Sequence, residues 1–221
     1  MIKKIKVLQV IPRLGYGGAE TGCYDLAHFL PEKGCKSFIA TGGGELLKFI
    51  NKKKVKVFKL PVQSKNPIII LFNAIIISFI ILIYNINIVH VRSRASAWSC
   101  FLATKLTFRK IVTTFHGTYN FSNRVKKFYN SIMVRSDLVI AGSNFIFSHI
   151  SDNYGNFFLN KKSQITVVFF HGYMSDMVGE KPNTIQKFCT KKKNRVYKIR
   201  IFWPWKIFRE NYRWKYIQMD Q

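Results

Sequence analysis

A chain of 221 residues is long enough for one α/β domain, or for a domain with a tail, and 48% hydrophobic residues exclude a globally disordered protein. A net charge of +26 points to anionic partners: nucleic acid, acidic lipid or phosphorylated substrates. Cys23, Cys35, Cys100 and Cys189 form no C-x-x-C pair, so the spacing carries neither a zinc nor a disulfide framework and suits a reducing compartment.

The first apolar run, residues 6–11, reads as a strand. The basic start, Met1-Ile2-Lys3-Lys4, is like that of a secretion signal, but Pro12, Arg13 and the glycines break the apolar stretch that would have to follow. Next comes Arg13-Leu14-Gly15-Tyr16-Gly17-Gly18-Ala19-Glu20, and then an amphipathic segment to residue 30. The order is strand, glycine-rich turn, helix. Glycines remove Cβ atoms where backbone must approach a ligand, and a helix N-terminus offers N–H groups to an anion. The spacing is not G-x-G-x-x-G, so the dinucleotide fingerprint fails, and an ordinary tight βα turn stands beside the ligand-loop reading.

Further strands are expected at 37–40, 55–60, 86–91, 110–114, 138–141 and 165–168. Between them lie segments of helical length at 45–51, 68–84, 95–106, 125–133 and 144–153. Strands alternating with helices predict βαβ units, a mostly parallel sheet and right-handed crossovers. Ligands then belong at the carboxyl ends of the strands.

Residues 68–84 are apolar except for Asn73 and Ser78, and Pro67 suits a first helical position. A buried crossover helix, a helix lying on a membrane surface and a true span are all consistent with that composition. From about residue 181 the chain changes character. Residues 181–221 lack Ala, Gly, Leu and Ser, hold Trp203, Trp205 and Trp214, and sustain neither helical nor alternating periodicity. A basic aromatic tail for nucleic acid or membrane and a frameshifted tail are the two readings.

Four blocks give the chain a family look. They are Gly17-Gly18-Ala19-Glu20, Ile88-Val89-His90-Val91-Arg92-Ser93-Arg94, Thr113-Thr114-Phe115-His116-Gly117 and Ser136-Asp137-Leu138-Val139-Ile140-Ala141-Gly142-Ser143. In this order and spacing they resemble the N-terminal domain of glycosyltransferase family 4, over about residues 4–168. The resemblance implies a Rossmann-like, doubly wound α/β domain, the acceptor-side half of a GT-B fold, with residues 169–221 as an irregular basic tail. It implies retaining transfer of a sugar from a nucleotide-sugar to a glycan or lipid-linked acceptor, as in envelope polysaccharide synthesis, with no metal and no cofactor beyond the co-substrate.

Under that resemblance His116 is the catalytic candidate, placed by the transferring sugar to bond a hydroxyl and steady the charged transition state. A structural His capping the turn is the competing reading. Gly17, Gly18, Glu20, Arg92, Arg94 and Gly117 are the substrate- and phosphate-binding candidates. Glu20 equally suits the helix dipole, and Arg92 and Arg94 equally suit a solvated loop. Ser143 and Asn144 read as helix caps, and His28, His90 and His149 as structural or exposed.

Two departures shape the expectation. After residue 168 the family normally continues with a Pro-x-Gly-Val/Ile-Asp type segment and a donor-binding domain carrying a Glu-x7-Glu motif, whereas here the chain reads Phe169-Phe170-His171-Gly172-Tyr173. The helix at 68–84 is apolar where relatives usually carry a basic face. The expectation is an acceptor domain truncated by a frameshift or early stop, inactive alone, poorly soluble, cytoplasmic, with a basic surface favouring the anionic inner face of the membrane. A partner-binding module working with a separate donor domain is the alternative. A nucleic-acid-binding protein is a weaker one, because no recognised binding module accompanies the charge and no nucleic acid is expected.

Overall fold

A computed structural model describes residues 4–119, 123–159, 166–170 and 195–199. The chain runs β1 (Lys6–Val10), α1 (Gly18–Glu32), β2 (Lys36–Thr41), a 3-10 turn (Glu45–Phe49), β3 (Val55–Lys59) and α2 (Pro67–Tyr84). It continues through β4 (Ile88–Val91), α3 (Arg94–Thr107), β5 (Lys110–Phe115), α4 (Arg124–Asn130), a second 3-10 turn (Ser131–Val134) and β6 (Leu138–Ala141). After these come α5 (Asn144–Leu159), β7 (Thr166–Phe170) and β8 (Arg195–Ile199).

The first six strands form one sheet in the order β3-β2-β1-β4-β5-β6. The pairs β1–β2, β1–β4, β2–β3 and β4–β5 are all parallel, with Val7 beside Ser37 on one side and Ile88 on the other. A parallel sheet is covered on both faces, which is why its strands read as near-continuous apolar runs. In β1, Leu8 and Val10 are fully buried, and so is the polar Gln9 between them. Under α1, the side chains Ile11, Leu14, Cys23, Ala27, Ile39, Leu46, Ile50 and Val55 pack as one cluster. Burying one such aliphatic side chain contributes about 1.5–3 kcal/mol.

Two expected helices differ from the reading above. Residues 45–51 form only the short 3-10 turn Glu45–Phe49, because Gly43 and Gly44 enter it at φ 141° and 135° and leave no regular N-terminal turn. Residues 125–133 divide into α4 and the 3-10 turn at Ser131–Val134, where the chain tightens so that Ile132, Met133 and Val134 all enter the core.

Helix α2 is a crossover between β3 and β4 of the same sheet, so it does not span a bilayer, although it is long and apolar enough to do so by composition. Asn66 caps its start by accepting from the Ile68 N–H at 2.9 Å, and Asn85 ends it in the left-handed region at φ 50°. It packs chiefly on α3. Only one face is buried: Asn73, Ala74, Ile77, Ile80 and Ile81. Asn73 Nδ2 donates to the Pro61 carbonyl at 3.0 Å and Ser78 Oγ to the Ala74 carbonyl at 2.8 Å. Both polar side chains in the helix therefore bond to backbone within the fold. Of the readings of residues 68–84, the structure shows a crossover helix, with one buried and one open apolar face.

The chain divides into two compact units, Met1–Val139 and Ile140–Gln221, with the boundary inside β6. The second contains α5, with Ser143 Oγ accepting from the Ile146 N–H at 3.2 Å as an N-terminal cap, and a parallel β7–β8 pair. The strand Arg195–Ile199 lies within the basic segment. Nearly all the rest of that segment, including its three tryptophans, lies outside the described residues.

Candidate functional site at the centre of the sheet

Strand order reverses between β1 and β4. The chain leaves β1 toward β2 and leaves β4 toward β5, so the following helices, α1 and α3, diverge. In open α/β sheets the crevice outside the carboxyl ends at such a switch point is where ligands bind. Gly17, Gly18 and Glu20 follow β1, Arg92 and Arg94 follow β4, and His116 and Gly117 follow β5, which is β4's other neighbour. The fold thus gathers every site residue expected from the sequence on the same strand ends.

The first half of the glycine loop is laced to the turn after β2. The Leu14 N–H donates to the Gly43 carbonyl at 2.7 Å, the Leu46 N–H to Leu14 at 2.9 Å and the Gly42 N–H to Pro12 at 3.0 Å. Gly44 is required there: a Cβ would collide with the Leu14 backbone, and its φ of 135° disfavours other residues. The exposed Arg13–Glu45 ion pair closes the same junction and holds the Glu45 carboxyl below its usual range.

From Gly17 onward this lacing stops. No side chain caps the first turn of α1. A Cβ on Gly18 would meet nothing within 4 Å, and one on Gly17 would first meet the carboxylate of Glu20, which folds back over it. Packing does not demand glycine at Gly18, and at Gly17 a Cβ would displace the end of the Glu20 side chain, so the two glycines leave room beside the N–H groups of the first turn. Glu20 sits in that same turn, where a carboxylate also stabilises the positive end of the helix.

Arg92 is placed differently from the phosphate-facing or solvated side chain expected at a strand end. It turns inward beneath α1, donating from Nε to Gln9 Oε1 at 3.2 Å, from Nη2 to the Gly22 carbonyl at 3.2 Å and from Nη1 to the Ala19 carbonyl at 3.5 Å. Gln9 Nε2 donates to the Cys23 carbonyl at 3.0 Å. These bonds fasten the start of α1 to the centre of the sheet. Burial lowers the Arg92 pKa, opposed by Cys23, Asp25 and Glu20. Cys23 is pushed up to about 12 by burial and stays a thiol.

Arg94 opens α3 and donates from Nη1 to Asn130 Oδ1 at 2.9 Å, with its guanidinium 4.1 Å from the Tyr119 ring centre. Tyr119 in turn lies 5.1 Å from Phe115. Ser93 caps that helix by accepting from the Ala95 N–H at 3.3 Å. His90 is buried, with Nε2 2.7 Å from Thr114 Oγ1, and burial holds its pKa well below the usual value. It is a structural histidine.

His116 differs from His90 in reaching the surface. Its ring makes no hydrogen bond among the described residues, so it does not cap the turn. Desolvation by the protein crowded around it, together with the charge of Arg92, lowers its pKa to about 4. At neutral pH it offers a ligand one N–H donor and one acceptor nitrogen. A Cβ on Gly117 would meet nothing within 4 Å, so the approach beside the ring is open. Among the described residues no group of three or more His, Cys, Asp or Glu gathers as for a metal ion.

Gln9, Tyr119 and Asn130 are not singled out in the sequence, and Thr114 only as part of a block. The signal for Gln9 was a lone amide inside an apolar strand. Nothing in the spacing pairs Arg94 with Asn130, which lies 36 residues away.

Residues 16–168 match the model of Glycosyltransferase Family 4. Among solved structures, a glycosyltransferase from Rickettsia africae is 41% identical with a TM-score of 0.65, over 86% of this chain and 50% of that one. HepE from Anabaena, in complex with UDP and glucose, is 14% identical with a TM-score of 0.56, over 85% of this chain and 50% of its own. MurG from Acinetobacter baumannii is 11% identical at a TM-score of 0.50, over 89% and 66%. The last two show likeness of fold. No curated protein matches the sequence. The chain spans about half the length of the first two structures. It belongs to glycosyltransferase family 4.

Proposed function

We propose that this family 4 chain forms the acceptor-side wall of a cleft in which a sugar passes from a nucleotide-sugar to a glycan or lipid-linked acceptor of the cell envelope, with retention at the anomeric carbon. The observation that carries this reading is the set of open glycines, Gly18 and Gly117, flanking an unbonded, neutral His116 at the switch point of the sheet. The complex of HepE with UDP and glucose supports a nucleotide-sugar as co-substrate.

In this reading the uncapped N–H groups of Gly17 and Gly18 face the diphosphate, where negative charge builds on the leaving group. His116 donates its N–H to a hydroxyl of the transferring sugar. Arg92 acts as a positioning residue, holding α1 and its positive end at a fixed height, and its charge adds to the field felt by the phosphates. Glu20, folded over Gly17, swings aside as the diphosphate enters, and Arg94 lines the acceptor side. The described residues supply one wall, and differential binding of the transition state needs both. We therefore expect the 221-residue chain alone to turn over no nucleotide-sugar.

The test is a hybrid in which residues 1–168 replace the N-terminal half of the Rickettsia africae glycosyltransferase. Release of nucleoside diphosphate from UDP- and GDP-sugars in the presence of membrane extract as acceptor is the expected result. A folded hybrid that releases none, while the intact relative does so in the same assay, overturns the reading.

A further inference from the structure

Helix α1 grips the chain where it leaves the 3-10 turn at Glu45–Phe49. The grip is one stripe of side chains, Tyr24, His28 and Glu32, spaced four residues apart and so on one face of the helix. The Tyr24 hydroxyl donates to the Phe49 carbonyl at 3.1 Å. His28 Nδ1 lies 2.9 Å from the Tyr24 carbonyl, and the Asn51 N–H donates to His28 Nε2 at 3.1 Å. Lys54 Nζ donates to Glu32 Oε1 at 3.3 Å.

Both hydrogen-bond partners of the His28 ring are backbone groups, and that fixes its state. A carbonyl oxygen only accepts, so Nδ1 carries the hydrogen. An amide N–H only donates, so Nε2 is bare. The ring bonded in this way is the neutral Nδ1–H tautomer. A proton added at Nε2 would aim one N–H at another, and the bond from Asn51 would be lost. His28 is half-buried, so protons reach it from solvent. The charged groups around it are Asp25 and Glu32 on α1, and Lys48, Lys52, Lys53 and Lys54 on the segment it grips. Asp25 attracts a charged His28, Glu32 is neutralised by Lys54, and the other lysines oppose the charge.

The other end of the 3-10 turn holds the root of the glycine loop. The Leu46 N–H donates to the Leu14 carbonyl at 2.9 Å, and Leu46 and Ile50 pack with Leu14 in the cluster under α1. The turn is a strut between the two. We infer that His28 is a proton-operated latch on this strut. Neutral, it fastens residues 45–51 to α1 and steadies the root of the Gly17-Gly18 loop. Protonated, it releases Asn51, and the strut and the loop root loosen. The opening is limited, because buried Leu46 and Ile50 keep the turn on the helix. The inference stands on the two ring bonds, independently of sugar transfer.

The experiment is hydrogen exchange of the full chain, read by mass spectrometry at about pH 7.5 and about pH 5.5, on either side of the range where imidazoles titrate. Rates are corrected for the intrinsic effect of pH, and β2 serves as the internal reference. Protection of residues 45–51 should fall about fivefold at the lower pH, as for the loss of one hydrogen bond, with a smaller fall at residues 13–16. His28→Gln keeps a donor and an acceptor but does not titrate, and should abolish this pH dependence. His28→Ala should leave the segment open at both pH values. Nitrogen NMR of the wild-type chain at the higher pH should find the hydrogen of His28 on Nδ1. Equal protection of residues 45–51 at both pH values in the wild-type chain overturns the proposal. So does a pH dependence that persists in His28→Gln, full protection in His28→Ala, or a His28 ring that carries its hydrogen on Nε2.

Discussion

Two regions of this domain treat exposed atoms in opposite ways. At the carboxyl ends of β1, β4 and β5, the protein anchors its own backbone with Arg92, Gln9 and the turn at Gly44, and leaves small, uncrowded positions at Gly18 and Gly117. In α2 the polar side chains Asn73 and Ser78 bond to backbone carbonyls, and on the outer face seven large apolar ones are left in solvent. The first region is shaped for a small polar ligand held at close range. The second is shaped for a broad apolar surface with little geometric demand. The contrast predicts that substitutions at the sheet centre change rate or stability sharply and locally, while polar ones on the outer face of α2 leave the fold intact.

The largest expected effect on stability is at Arg92. Arg92→Leu removes three hydrogen bonds of a half-buried cation and strands Gln9 Oε1, which should cost about 3 kcal/mol in a denaturant melt. An unchanged midpoint would show that α1 is held by packing alone. In the hybrid enzyme, His116→Ala should lower turnover about 100-fold, near 2.7 kcal/mol of barrier, with no change in melting. The limb of the pH–rate profile that depends on this ring should lie near pH 4, and a limb near 6.5 would contradict the packing described around it.

His90 gives a third, smaller effect. Its folded pKa lies well below the value of an unfolded histidine, so below about pH 6.5 the unfolded chain binds a proton that the folded chain refuses. Stability is full above that pH and falls as the pH drops, by up to about 1.4 kcal/mol per pH unit. His116 adds in the same direction, weakened by its exposure to solvent. A His90→Gln variant should lose most of this slope between pH 6.5 and 5, as measured by chemical denaturation.

The smallest changes sharpen the contrast most. Phe108→Gly relieves a left-handed backbone at an exposed position and should stabilise the fold by about 1 kcal/mol, as measured by chemical denaturation. Gly117→Ala enters open space and should shift stability by less than about 0.5 kcal/mol, yet reduce turnover of the hybrid about tenfold.

Much of the sheet was legible because parallel strands are buried on both sides and so appear as unbroken apolar runs. Leu138–Ala141 matches the expected bounds, and the other central strands differ by one or two residues. What pattern could not show depends on three-dimensional partners. The alternation of helices and strands says nothing about which face of α2 is covered, because a helix that is apolar all round has no distinguishing stripe. The inward turn of Arg92 follows from Gln9 and the carbonyls of α1, groups 70 or more residues away in sequence. The positions of Gly17, Gly18, His116 and Gly117 were readable as one site because strand order brings their loops to a single edge once the sheet is parallel. The 3-10 turn at Glu45–Phe49 was not, since the two glycines before it act through backbone angles that composition does not display.

The most direct test of the central claim is a crystal structure of the hybrid enzyme with a nucleoside diphosphate and the sugar it releases. The account predicts diphosphate oxygens within hydrogen-bonding distance of the Gly17 or Gly18 N–H and a sugar hydroxyl within the same reach of the His116 ring. A ligand seated over β2 and β3, with the Gly17-Gly18 turn and His116 empty, would contradict it.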